Sequence, residues 1–173
     1  DFDLLLAELD KQGAIEENML YLNRAGNLIF DDMLGQLNAN FDGGSSFGVF
    51  ENSKDIYYAS SHQYPFYPGT GSENERGTGN IFNCPLTAGC DSKTFRSLFE
   101  NKIINKINNS FDLIYFSAGF DAHKLDPLAS INLENKDFYW VTKIVLEKFA
   151  NNVPIISVLE GGYDMKGLYN GLN

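Results

Sequence analysis

Four stretches of the chain are apolar runs that end on a glycine, a proline or a polar turn. They are Asp55-Ile-Tyr-Tyr-Ala-Ser60, residues 80–86, Asp112-Leu-Ile-Tyr-Phe-Ser-Ala118 and Val153-Pro-Ile-Ile-Ser-Val-Leu159. The third is rich in β-branched and aromatic residues with almost nothing charged, the pattern of a strand buried on both faces of a sheet, and the others read as strands beside it. Between them the period lengthens to that of a helix. Phe95, Leu98, Phe99, Ile103 and Ile107 recur on one face, with Asp91 or Ser92 placed to cap. Phe138, Val141, Val145 and Phe149 repeat the pattern with Asn135 ahead of them, while Tyr139 and Trp140 fall off the stripe. Strand and helix alternate, which predicts an α/β fold: a three-layer α/β/α arrangement on a mainly parallel sheet. The first helix joins its flanking strands as a β-α-β unit, with a right-handed crossover expected.

Residues 1–46 read differently. Phe2, Leu5, Leu6 and Leu9 fall at helical spacing, and Ile15, Met19, Leu22, Leu28, Ile29, Met33, Leu34 and Leu37 continue it. The pattern predicts two or three short amphipathic helices broken near Gly13 and Gly26. This segment holds nine acidic residues against Lys11 and Arg24, a net charge of minus seven. Such helices are expected to pack on a protein partner or to cover the sheet. Asn38 to Ser46 is a row of turn-formers and reads as a flexible junction. The expected organisation is therefore an acidic helical segment, 1–46, followed by an α/β domain, 47–173.

Composition adds limits. The 173 residues are 43% hydrophobic and 21% charged, ordinary for a single soluble domain. A net charge of −10 argues against nucleic-acid or anionic-membrane contact. No apolar run approaches the roughly 18 residues of a membrane span, and no signal peptide is evident. Cys84 and Cys90, without a completing ligand pattern, read as reduced thiols in a cytoplasmic protein. The chain does not begin with methionine, as expected of a piece of something longer.

Ligands of open α/β sheets bind just beyond the carboxyl ends of the strands. Asp121 follows the 112–118 run by three residues, and Gly161-Gly-Tyr163 follows the 153–159 run. Asp121 and His123 are both metal ligands by type. The alternative is a plain turn, with Gly119 making the bend, Asp121 capping and His123 on the surface. Upstream, Tyr64, Phe66 and Tyr67 crowd a proline-flanked loop, as aromatics do when they wall a narrow apolar tube. The glycine-rich stretch 69–79 lacks the lysine and the spacing of a phosphate-binding loop.

Four stretches in this order, Ser60-Ser-His-Gln-Tyr-Pro-Phe-Tyr-Pro-Gly-Thr-Gly71, Asn80-Ile-Phe-Asn-Cys-Pro-Leu86, Ser117-Ala-Gly-Phe-Asp-Ala-His123 with Asp126-Pro-Leu128, and Leu159-Glu-Gly-Gly-Tyr-Asp164, carry a resemblance. Over residues 49–164 the chain resembles the C-terminal half of the zinc-dependent histone deacetylase and acetylpolyamine amidohydrolase family. The resemblance implies an arginase-like fold and hydrolysis of acetyl-lysine or a related acylated amine. It implies that Asp121 is one zinc ligand, and that Tyr163 stabilises the oxyanion while Gly161 and Gly162 let its loop approach the substrate. Tyr67 matches the aromatic of the substrate tube, Ser60 and Ser61 match positions that help hold a potassium ion, and His62 matches a structural histidine.

The chain departs from the family's pattern at one place. The two remaining zinc-ligand positions fall on Ala39 and Phe41, neither of which binds metal. The family's His-His pair lies further upstream, whereas the only histidines here are His62 and His123. The expectation is a partial site: a chain that binds zinc weakly or not at all and does not hydrolyse substrate alone. The alternative is a deacetylase-like remnant that recognises a partner without catalysis.

Overall fold

The structure is a computed structural model that describes residues 2–7, 51–66, 69–150, 152–159 and 161–172. Among the described residues five strands form one sheet: β1 (Phe2–Ala7), β2 (Ile56–Gln63), β3 (Ile81–Leu86), β4 (Leu113–Ala118) and β5 (Ile155–Leu159), in the spatial order β3-β2-β1-β4-β5. Three helices lie among the described residues, α1 (Ser92–Phe99), α2 (Asn135–Phe149) and α3 (Met165–Leu172), and a π-helical turn, Glu100–Ile104, extends α1. The four strands expected from the apolar runs are present. β2 pairs in parallel with β3, and β4 with β5. All six residues of β4 are buried.

The sequence pattern misassigned residues 2–7. They form no helix but a strand of this same sheet, antiparallel to β2 on one side and to β4 on the other. Leu4-Leu5-Leu6, in a six-residue segment whose one polar residue is Asp3, satisfies either period, and a run this short is assigned by its neighbours. Here it is paired along both edges, with Leu5 opposite Tyr58 and Tyr115. β2, β3, β4 and β5 consequently all run in one direction and β1 runs against them. The other helices expected within 1–46, and the 38–46 junction, lie outside the described residues.

The crossover also differs from a simple unit. α1 carries the chain from β3 to β4 past the positions of β2 and β1, so the two strands it connects are not neighbours. Phe95, Phe99 and Ile103 from α1 and its extension pack with Phe138, Val141 and Val145 of α2 against Ile114 and Phe116 of the sheet. Tyr58 and Tyr115 are buried as well but stand outside this cluster. Successive side chains of a strand face opposite ways, so β4 is covered on both faces, whereas β5 at the sheet edge alternates between exposed and half-buried positions.

Polar contacts fix the helix ends. Asp91 caps α1, its Oδ1 accepting the Thr94 N–H at 2.9 Å. At α2 the cap is Glu134 rather than the expected Asn135, and Asp137 completes a reciprocal capping box. Asp137 is fully buried. It accepts from Ser92 Oγ at 2.6 Å and Arg96 Nε at 2.8 Å, tying α1 to α2. Trp140, off the α2 stripe, meets Phe95 and Phe99 edge-on and lies under the Arg96 guanidinium, 5.2 Å from the ring centre. Among the described residues no helix is long and apolar enough to cross a membrane.

Candidate active site

The carboxyl ends of β4 and β5 lie side by side, because Ala118 pairs with Leu159. The loops that leave them are fastened together at once: the Phe120 N–H donates to the Gly161 carbonyl at 2.9 Å. Asp121 and Tyr163 therefore line the same cavity, of about 330 Å³, with Ser61, Gln63 and Phe66 among the other walls. Asp121 is partly buried, and Tyr163 is 60% exposed.

The second loop leaves little room at either of its glycines. Gly162 has φ +122°, and a Cβ there would lie 2.9 Å from the Phe120 Cβ. A Cβ on Gly161 would reach 3.2 Å from the Asp121 carboxylate. The loop then enters α3 through Asp164, whose Oδ1 accepts the Gly167 N–H at 2.6 Å.

One residue of this site had escaped the motif reading as an individual group. Asp126, 8% exposed, accepts the Tyr163 N–H at 2.7 Å with Oδ2, and with Oδ1 the N–H groups of Leu128 at 2.9 Å and Ala129 at 3.4 Å. The Asp-Pro dipeptide signals the two local bonds of a turn. Nothing in the local sequence signals the third, which spans 37 residues.

The histidines are committed elsewhere. His123 is neither on the surface nor free for a metal: it is 2% exposed. Its Nδ1 is 3.2 Å from the Leu125 N–H, which can only donate, so the ring proton is on Nε2 and is given to Asn135 Oδ1 at 2.9 Å. That use of Asn135 explains why Glu134 takes over the cap of α2. His62, 8% exposed, is held in the same way. The Gly71 carbonyl, 2.8 Å from Nε2, only accepts, so Nε2 carries the proton and Nδ1 accepts the Ser60 hydroxyl at 2.8 Å. Gly71 has φ +92°, and a Cβ there would fall 2.2 Å from His62 Nε2.

Ser60 is thus engaged by His62, while Ser61 faces the cavity. Tyr67, the expected wall of the substrate tube, lies outside the described residues. Among the described residues no group of three His, Cys, Asp or Glu side chains is placed to hold a metal ion. A catalytic zinc takes three protein ligands and an open position. Asp121 with two histidines whose ring nitrogens are both occupied does not fit that requirement.

Comparison with known proteins agrees with this architecture. The family model for the histone deacetylase domain matches residues 42–173. Histone deacetylase 14, chloroplastic, of Arabidopsis thaliana is 36% identical over 128 residues, which cover 69% of this chain and 30% of the relative. A probable deacetylase of Methanothermobacter thermautotrophicus is 34% identical over 134 residues, 73% of this chain and 39% of the relative. Among solved structures, the HDA15 HD domain superposes with a TM-score of 0.66 at 27% identity, covering 76% of this chain and 40% of that one. The chain thus spans well under half the length of the relatives it matches, and its sheet and helices are those of the arginase-like α/β fold. With its family-model match, its relatives and its fold in agreement, the chain belongs to the histone deacetylase family.

Proposed function

We propose that this chain supplies the acyl-facing half of an amidohydrolase site for acetyl-lysine or a related acylated amine, and that alone it does not hydrolyse the substrate. The observation that supports this is the placement of Asp121 and Tyr163 on one cavity at the carboxyl ends of adjacent parallel strands. In this reading the Tyr163 hydroxyl donates to the acyl oxygen, where charge develops as the amide is attacked. The apolar parts of the wall, such as Phe66, take the methylene stem, and Tyr67 is expected to join them. Asp121 is one oxygen donor of a metal site. The nitrogen donors and the histidine base must come from outside a sequence whose only histidines are His62 and His123.

The test is direct. N-acetyl-lysine methylamide is titrated into the isotopically labelled chain, hydrolysis is followed by release of acetate, and metal is measured after dialysis. Expected are weak binding, on the order of millimolar, abolished in Tyr163→Phe, with no turnover and no retained metal. Stoichiometric zinc or catalytic turnover would overturn the partial-site reading; absence of binding would overturn the assignment of the cavity.

A second reading, a deacetylase-like module that engages a basic partner without catalysis, draws on the seven net negative charges of residues 1–46. Replacing those acids by their amides would separate the two, since it weakens capture of a basic peptide only in the second.

A further inference from the structure

We infer that Asp126 is the positioning residue for Tyr163, its buried carboxylate fixing the turn that carries the tyrosine to the cavity it shares with Asp121. The use assigned to the phenol rests on the function proposed above; the clamp itself does not.

Tyr163 is 60% exposed, so packing contributes little to where its ring stands. Its backbone must do so. The turn is attached to the β4 loop through the Phe120 bond to the Gly161 carbonyl, and through the Tyr163 N–H given to Asp126. The first bond secures the start of the turn. The second acts at the tyrosine itself.

Burying a carboxylate is costly unless hydrogen bonds replace its water. The bonds to Leu128 and Ala129 are local, and an exposed asparagine or serine would serve such a turn as well. Only the bond to Tyr163 uses the depth and the charge of Asp126. A donor to a carboxylate is held about twice as strongly as one to a neutral oxygen. A misplacement of about 1 Å in a group that contacts a reacting centre costs on the order of 100-fold in rate, so a fixed turn matters most at this residue.

The experiment uses the whole chain with its nine tyrosines replaced by 3-fluorotyrosine, the Tyr163 fluorine signal being assigned with Tyr163→Phe. Exchange of the Tyr163 amide is measured alongside. In Asp126→Ala the Tyr163 signal is expected to move toward the unfolded position. Its amide should exchange about 10- to 100-fold faster, the range implied by loss of a charge-assisted bond. Tyr139 and Tyr115 should not move. Asp126→Asn keeps the volume and one accepting oxygen; it should give a smaller change in the same direction and decides the matter if the alanine variant does not fold.

An unchanged Tyr163 signal and amide, or all tyrosines moving together in both variants, would overturn the inference. Titrating N-acetyl-lysine methylamide into the unsubstituted chain reports separately: failure to bind removes the proposed function and leaves the fluorine result to judge Asp126.

Discussion

Gly161 lies so near Asp121 that a Cβ built on it would sit 3.2 Å from the carboxylate carbon and from Oδ1. Its neighbour Gly162 faces backbone-proximal atoms of Phe120 instead, at 2.9 Å, and has φ +122°. The two adjacent glycines therefore answer to different constraints, one at the site and one in the fold.

Gly161→Ala should displace the Asp121 carboxylate by a few tenths of an ångström and cost less than about 1 kcal/mol of stability. Gly162→Ala adopts a strained φ and meets atoms that cannot swing away, so it should cost about 2–3 kcal/mol. Chemical denaturation of the two variants compares them. Equal losses would contradict the division.

Gly71→Ala should be more damaging than its place in a loop implies. The added methyl would collide with His62 Nε2 and break the run from the Gly71 carbonyl through His62 to Ser60. A loss of about 2–4 kcal/mol is expected from backbone strain together with an unsatisfied buried ring nitrogen. Thermal unfolding measures it, and a mutant as stable as the parent would show the run to be dispensable.

Acid should act on the start of α2. Bonding to Lys136 and then to Lys124 holds the Glu134 carboxyl down to about 2 from its ordinary 4.5. A depressed carboxyl contributes stability above its unfolded value and loses it as pH falls through the folded one, so the effect belongs to pH 4.5 down to about 2. The Glu134 side chain is 40% exposed, so salt should weaken the effect. Carbon-detected titration of Glu134 at low and high salt checks it, and Glu134→Gln should abolish it.

The two thiols should be inert while the protein is folded. Burial pushes Cys84 up to about 12 and raises Cys90, which leaves little thiolate at neutral pH. Labelling by a disulfide reagent at pH 8 should follow the rate of unfolding. Fast labelling of Cys84 in the native state would contradict its burial.

Removing residues 1–7 should expose facing edges on β2 and β4, since β1 is paired with both. Unpaired strand edges recruit other chains. Light scattering should report association of the shortened protein. Backbone proton contacts from Leu5 to Tyr58 and Tyr115 in the intact chain test the register itself.

Much of this arrangement was legible without coordinates. The run ending at Ala118 announces its strand because burial on both faces demands continuous apolar residues. The run ending at Leu159 also forms a strand, but an edge strand in which no residue is fully buried. The positions of Asp121 and Tyr163 just past those ends follow from chain order. Asp91 caps α1, one of the two residues that side-chain type and spacing offered. Local chemistry reaches only a few residues, however. The direction and sheet membership of Phe2–Ala7 depend on vacant edges of strands some 50 and 110 residues away. In the same way the tautomers of His62 and His123, the displacement of Asn135 from its cap, and the hold of Asp126 on Tyr163 are set by partners that only folding brings within hydrogen-bond reach. A sequence fixes what each group can donate or accept; which partner it meets is decided by the closure of the sheet and its loops.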